Sequence, residues 1–247
     1  MNPRIVYCHG LPGAPEELAA FEAPPPHVHG LNRLGRSEGS YEARLLAAFD
    51  EMNIDAPVTL AGFSLGAMSA SHIAAKRGHL VDKLILISPA APLELGDFLP
   101  AMAGRPVFEA ALAGDLALRL FTASQAALVA LAPKLALKTM FRRSPDAEMR
   151  LLDSPQFVDS VTAGLRSCLG ERQRAYRQEL RAYVRPWADV IGDIHCPTEI
   201  WSGADDDWAP PAMAAAYQQR LGDPASLNVC AGLGHYSTLR AVLSRLQ

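Results

Sequence analysis

The sequence lacks any apolar run of the roughly 18 residues or more that a bilayer span requires. Its nearest approach, AALVALAP, is broken by Pro133 and Lys134. It also lacks a leader pattern: Met1, Asn2, Pro3 and Arg4 run straight into a strand-like stretch, with no charged segment followed by an apolar one. The cytoplasm is therefore the expected location. Cysteines are sparse and unpaired in spacing. Cys8, Cys168, Cys196 and Cys230 form neither a CxxC pair nor a dense framework, so reduced thiols are expected rather than disulfides or a thiolate metal site. An excess of one charge is missing too. Lysine and arginine number 23 against 26 aspartates and glutamates, a net charge of −3. Over the whole chain, that balance argues for neither a nucleic acid nor an anionic membrane surface as partner. No internal repeat or low-complexity tract occurs, and APPPH (23–27) reads as a short rigid loop.

What remains is a chain of 247 residues, 49% of them hydrophobic, enough for one core of α/β type with an insertion. Four apolar runs end in glycine, proline or serine: RIVYCHG (4–10), PVTLAGFS (57–64), KLILISPA (83–90) and TEIWSGADD (198–206). A weaker fifth is SLNVCAGLGH (226–235). Near-continuous apolar runs of this length suit parallel strands covered on both faces. Helical patterns lie between and after them, at 41–52, 66–78, 211–221 and 237–247. Strand alternating with helix predicts a mostly parallel sheet flanked by helices.

The alternation stops across residues 93–187. This block is rich in alanine, leucine and arginine, and it carries successive helical patterns with no convincing strand. Residues 122–141 are apolar nearly all round. Within 166–183, Leu169, Tyr176, Leu180 and Tyr183 share one helical face, with Arg166, Arg174, Arg177 and Arg181 on a neighbouring one. The organisation expected is a core made of residues 1–92 and 188–247, with a helical lid at 93–187 between two core strands.

Chemistry concentrates at Gly62-Phe63-Ser64-Leu65-Gly66, which follows a strand pattern and precedes a helix pattern. That is the setting of a nucleophile elbow, a turn so tight that its flanking positions must lack bulk; Ala61, Gly62, Gly66 and Ala67 comply. A serine nucleophile needs a base, and the base needs a carboxylate to orient it. Of seven histidines, His235 lies in AGLGHYST, a glycine-rich turn between a late strand and the last helix. His27, His29, His72, His79 and His195 lack a comparable setting and read as packing or surface groups. The acid comes from ADDD, where Asp206 is favoured over Asp205 and Asp207, with Glu94 or Asp97 as an alternative source. No glycine–glutamate ligand loop accompanies the three aspartates, so a calcium site is not expected. Two N–H donors should face a developing oxyanion: that of Leu65, after the serine, and that of Leu11 in CHGLPGAP, since Pro12 has none to give.

Taken together, these elements resemble the α/β-hydrolase fold, in the group of lid-bearing serine hydrolases. The resemblance rests on His9-Gly10-Leu11-Pro12-Gly13, LNRLGRSEGS (31–40), the elbow at 62–66, GADDDWAP and GLGH, in family order along nearly the whole core. It implies Ser64, Asp206 and His235 as a catalytic triad, Leu11 and Leu65 as the oxyanion hole, and a helical cap where block 93–187 falls. Because the chain opens directly on the strand before the oxyanion turn, about six strands are expected, without the family's first antiparallel ones. Serine at the elbow argues against the aspartate-nucleophile dehalogenases and epoxide hydrolases. Ala67 stands where menaquinone-pathway lyases tend to carry arginine, and Tyr236 where many carbon–carbon bond hydrolases have tryptophan.

The expected activity is hydrolysis of a small to medium carboxylic ester or thioester, a small-molecule substrate, through an acyl-enzyme and with no metal or organic cofactor. Apolar lid segments 111–121 and 122–141 would roof an acyl pocket. The alternative is a triad-dependent lyase or carbon–carbon bond hydrolase whose lid arginines hold a keto acid. A non-catalytic ligand-binding role is the reading from a different class. The sequence carries no signal of oligomeric state.

Overall fold

Short runs of branched and small apolar residues make the sheet. The protein is described here from a computed structural model covering residues 4–21, 27–35, 38–223 and 225–246. Six strands form one sheet in the order β2-β1-β3-β4-β5-β6, every pairing parallel. They are β1 (Ile5–Cys8), β2 (Val28–Gly30), β3 (Val58–Phe63), β4 (Val81–Ile87), β5 (Thr198–Gly203) and β6 (Ala225–Cys230). All four residues of β1 and the last four of both β3 and β4 are buried. That explains why these runs do not alternate between apolar and polar: helices cover both faces.

Helix α1 (Tyr41–Asp50) starts where the Ser40 hydroxyl accepts a hydrogen bond from the Ala43 N–H at 3.2 Å. Helix α2 (Gly66–Lys76) follows β3 without a spacer loop and is buried along Gly66–Ala74. Between β4 and β5 the chain is helical: α3 (Arg105–Ala113), α4 (Asp115–Leu131), α5 (Pro133–Met140), α6 (Asp146–Met149), α7 (Pro155–Leu169), α8 (Gln173–Tyr183) and α9 (Asp189–Gly192). Then α10 (Pro211–Leu221) and α11 (His235–Leu243) alternate with the last strands. Proline opens α5, α7 and α10, where its missing N–H costs nothing.

An aromatic cluster joins the inserted helices to the sheet. Phe141 and Phe157 pack on Tyr236, with ring centroids 5.8 and 5.4 Å away, and Tyr236 packs on Phe63 at 5.3 Å. Phe63, Phe141 and Phe157 are fully buried, so truncating any of them to alanine removes about 3–5 kcal/mol. At the other end of the block, the Glu94 carboxylate accepts hydrogen bonds from the N–H groups of Trp187 and Ala188, both at 2.6 Å. The points where the chain leaves and re-enters the core are thus tied together.

Several expectations need correction in detail. β2 has only three residues and follows a proline run, too little for a periodic signal. The run at 226–235 is strand only to Cys230, and the last helix begins at His235 rather than at 237. The stretch 166–183 is not one helix: α7 ends at Leu169, and the chain turns at Gly170. Residues 122–141 divide at Ala132, ahead of Pro133. The face of α4 opposite the cavity stays open, with Leu116, Leu120 and Leu131 exposed. Of the loop read at 23–27 only His27 lies within the described residues, and two positions of the 31–40 turn and Gln247 lie outside them. The four cysteines are free; burial pushes the thiols of Cys8 and Cys168 up to about 12.

Candidate active site

Ser64 sits at the strand-to-helix junction with φ of +55°, a left-handed conformation that non-glycine residues seldom adopt. Backbone bonds on both sides fix it. Its N–H donates to the Ile87 carbonyl at 3.0 Å, and its own carbonyl accepts from Ala67 N at 3.0 Å and Ala90 N at 3.1 Å. The glycines of the pentapeptide are there for room. A Cβ on Gly66 would collide with the Cys8 and His9 carbonyl oxygens, and one on Gly62 would lie 2.8 Å from Ala70 Cβ. The serine side chain is presented at the amino end of α2, where unpaired amides and the helix dipole favour negative charge.

Asp206, after β5, and His235, the first residue of α11, are in direct contact. His235 Nδ1 lies 2.8 Å from Asp206 Oδ2 and 3.1 Å from Oδ1. The Trp208 and Ala209 N–H groups also donate to Oδ1, each at 2.9 Å, so the carboxylate cannot swing away. The imidazole is packed between Phe63, at 4.6 Å between centroids, and Trp208, near-parallel at 6.1 Å. Burial works against the charged imidazolium. The charge and hydrogen bond of Asp206 outweigh that, Glu148 and Asp207 add smaller pulls, and the His235 pKa is raised above the ordinary histidine value. Asp205 is exposed, and Ser144 Oγ donates weakly to Asp207 Oδ1 at 3.5 Å. Glu94 is committed to the Trp187 and Ala188 amides.

Leu11 and Leu65 come from different elements, and with Ser64 they line the same cavity of about 300 Å³. Among the described residues no backbone or side-chain acceptor takes the N–H of either leucine. The turn that carries Leu11 is held from below by Glu17, in the turn at Pro15–Ala20. Glu17 Oε1 accepts from the Tyr7 hydroxyl at 2.6 Å and from Gly10 N at 2.8 Å. Burial raises the Glu17 pKa against the opposing pull of those two hydrogen bonds.

The rest of the cavity wall is mostly apolar, interrupted by Gln125, Thr139 and Tyr176. Met102, Phe108, Phe121, Leu128, Val129 and Met140 contribute from the inserted block, and no charged side chain of the described residues lines it. The arginines picked out by periodicity point elsewhere. Arg166 and Arg174 are exposed, Arg177 bonds Gln173, and Arg181 pairs with Asp115 at 3.2 Å. Of the six other histidines, His9 is fully buried with Nδ1 2.8 Å from the Gly10 carbonyl oxygen, His29 is half-buried in β2, His72 lies against Tyr41 and Glu42, His27 reaches the Leu246 carbonyl, and His79 and His195 are exposed.

Two acids escaped the sequence reading. Glu17 carries no motif, because its partner amide belongs to a turn recognised for its glycines. Glu148, on α6, is fully buried and reaches the Tyr236 and Ser237 amides, 88 and 89 residues further along the chain. No spacing rule relates such distant positions.

Residues 5–243, nearly the whole chain, match the alpha/beta hydrolase family. The chain belongs to that family. No curated protein matches it by sequence. Among solved structures this hydrolase-family chain is similar to a thermophilic esterase from Thermogutta terrifontis, with a TM-score of 0.67 at 17% identity, covering 98% of this chain and 87% of that one. It is similar at TM-score 0.66 and 16% identity to Est816, described as an N-acyl homoserine lactone degrading enzyme, covering 100% and 92% of the two chains. An enol-lactonase from Burkholderia xenovorans LB400 gives the same score and identity, with 100% and 90% covered. At these identities the likeness speaks for the fold, and the family match supports hydrolase activity. No helix among the described residues is long and apolar enough to cross a membrane, and none of their His, Cys, Asp and Glu groups form a metal-binding cluster.

Proposed function

We propose that this hydrolase cleaves an uncharged carboxylic ester or thioester with an apolar, medium-length acyl group, through an acyl-enzyme on Ser64. The observation that carries the reading is the left-handed Ser64 in the wall of a mostly apolar cavity, which the two leucines with unengaged amides, Leu11 and Leu65, also line. Ser64 Oγ attacks the acyl carbon as its proton passes to His235 Nε2. Asp206 holds Nδ1 and stabilises the imidazolium. The Leu11 and Leu65 amides take the oxyanion of the tetrahedral intermediate, a contribution of about 3–4 kcal/mol per donor. His235 returns the proton to the leaving alcohol or thiol, then activates the water that frees Ser64. At about 30 Å³ for a water-sized group, 300 Å³ holds roughly ten such groups, which fits a medium acyl chain. A cavity wall without cations offers a keto acid no counter-ion, which weighs against the lyase or carbon–carbon hydrolase alternative.

Labelling by a fluorophosphonate probe tests the reading. Wild-type protein should label at Ser64 and hydrolyse p-nitrophenyl esters, and Ser64→Ala should lose both. A wild-type chain that does not label at Ser64, or an alanine variant with undiminished esterase activity, would sink the proposal.

A further inference from the structure

The segment 145–149 of the inserted block rests on the turn that carries His235. Glu148 is fully buried there, and its carboxylate is divided between two backbone amides. Oε2 accepts from Tyr236 N at 3.0 Å, and Oε1 accepts from Ser237 N at 2.6 Å. These are the second and third residues of α11, whose first residue is His235. The Ser237 hydroxyl closes the same turn from within, accepting from Gly234 N at 2.8 Å. Packing leaves no slack: a Cβ on Gly234 would fall 2.7 Å from Glu148 Cγ and 2.9 Å from Pro145 Cγ. A helix normally satisfies its first-turn amides with a neighbouring side chain or with water. Here the cap is supplied by a different part of the chain.

We propose that Glu148 is a positioning residue for His235, delivered by the inserted helices, so that the histidine is held in working position only while segment 145–149 lies against the core. The inference rests on the reading of His235 as general base. It assigns regulation to that site, because displacing the segment withdraws both the cap and a negative charge from beside the histidine.

Four acids act electrostatically with His235, from three stretches of chain: Asp206 and Asp207 after β5, Glu148 on α6, and Glu17 in the turn at Pro15–Ala20. Tyr236 is the titratable neighbour on α11 itself, and Arg143 opposes Asp207. Asp206 makes the direct bond and exerts the largest stabilising pull, and Glu148 follows it. Burial raises the pKa of Glu148, while Ser237, His235 and the Tyr236 amide pull it back down. Removing the Glu148 charge makes the imidazolium harder to form, so His235 stays in its basic form to lower pH.

The test compares Glu148→Gln and Glu148→Asp with the full-length wild-type chain, using fluorophosphonate labelling of Ser64, kcat and KM on a p-nitrophenyl ester, and the pH profile of kcat/KM. The glutamine variant should still label, with kcat lower by about tenfold or more and KM within about threefold. Its acid limb should move to lower pH. The aspartate variant keeps the charge on a shorter arm, so kcat should fall while the acid limb stays in place. A folded glutamine variant with wild-type kcat and an unmoved acid limb would make Glu148 mere adhesive between lid and core and overturn the proposal. Should the glutamine variant fail to fold, the aspartate variant decides, and a wild-type kcat there overturns it. Failure of the wild type to label at Ser64 is a separate outcome: it removes the general-base reading of His235 on which the proposal stands, and with it the proposal.

Discussion

Asp206 divides its two oxygens between two tasks with respect to His235. Oδ2 makes the short contact to Nδ1 at 2.8 Å, while Oδ1 is pinned by the amides of Trp208 and Ala209. The division makes Asp206→Asn an informative substitution. The asparagine oxygen stays with the two amide donors, which forces its NH₂ group towards Nδ1. The imidazole must then accept at Nδ1 and carry its proton on Nε2, the nitrogen that takes the serine proton in the proposed mechanism. The fold should survive, and kcat/KM should fall by about a thousandfold to ten-thousandfold. Steady-state kinetics on a p-nitrophenyl ester, beside an unchanged thermal unfolding curve, is the check.

The same contact sets the pH dependence. In the proposed mechanism His235 acts as a base only when neutral, and its pKa is raised because Asp206, helped by Glu148 and Asp207, outweighs burial. Activity should therefore fail as pH drops through a value above the ordinary histidine pKa of about 6.5. A kcat/KM profile whose acid limb lies below that value would contradict the assignment of His235 as the base.

Much of this was legible because short-range chemistry fixed it. Ser64 is recognisable because the elbow needs small residues at positions set by backbone clashes, and those clashes are found at Gly62 and Gly66. Strands β1, β3, β4 and β5 announced themselves through apolar runs that burial on both faces demands. β2 did not: with three residues, and only Val28 buried, it offers no periodicity to read. The contacts of Glu17 and Glu148 were illegible for another reason. Each carboxylate is bound to the backbone of a turn, and backbone amides leave no mark on residue identity. What the arginines at 166–181 meet was not legible, since helical periodicity assigns residues to a face without saying what that face touches.

Glu17 supplies a stability test with a definite sign. Its pKa is raised by burial, so the folded state holds a proton more tightly than the unfolded chain does. Stability must then decline as pH rises from the ordinary glutamate value of about 4.3 through the raised folded value. Glu17→Gln keeps an oxygen for Tyr7 and Gly10 and removes the titration. It should be at least as stable as wild type at neutral pH, with the advantage disappearing in acid. Glu17→Ala leaves a buried hydroxyl and a buried amide unpaired, at about 1–3 kcal/mol each, and frees the turn that carries Leu11, so kcat should drop as well. Urea unfolding at several pH values distinguishes the two variants.

The cavity makes the last prediction quantitative. Leu128 on α4 and Met140 on α5 line it from the inserted block, and neither is fully buried. Replacing either by tryptophan fills space that a longer acyl chain would use. Each buried methylene contributes about 0.8 kcal/mol, so excluding four of them costs about 3 kcal/mol, roughly a hundredfold in kcat/KM. Leu128→Trp and Met140→Trp should therefore lose about that factor on octanoyl and decanoyl p-nitrophenyl esters, while acetyl ester hydrolysis stays within about threefold of wild type. If the long-chain and acetyl esters decline in parallel, the substitutions have disturbed the reacting groups rather than the acyl site. If neither declines, the acyl chain does not lie against these helices.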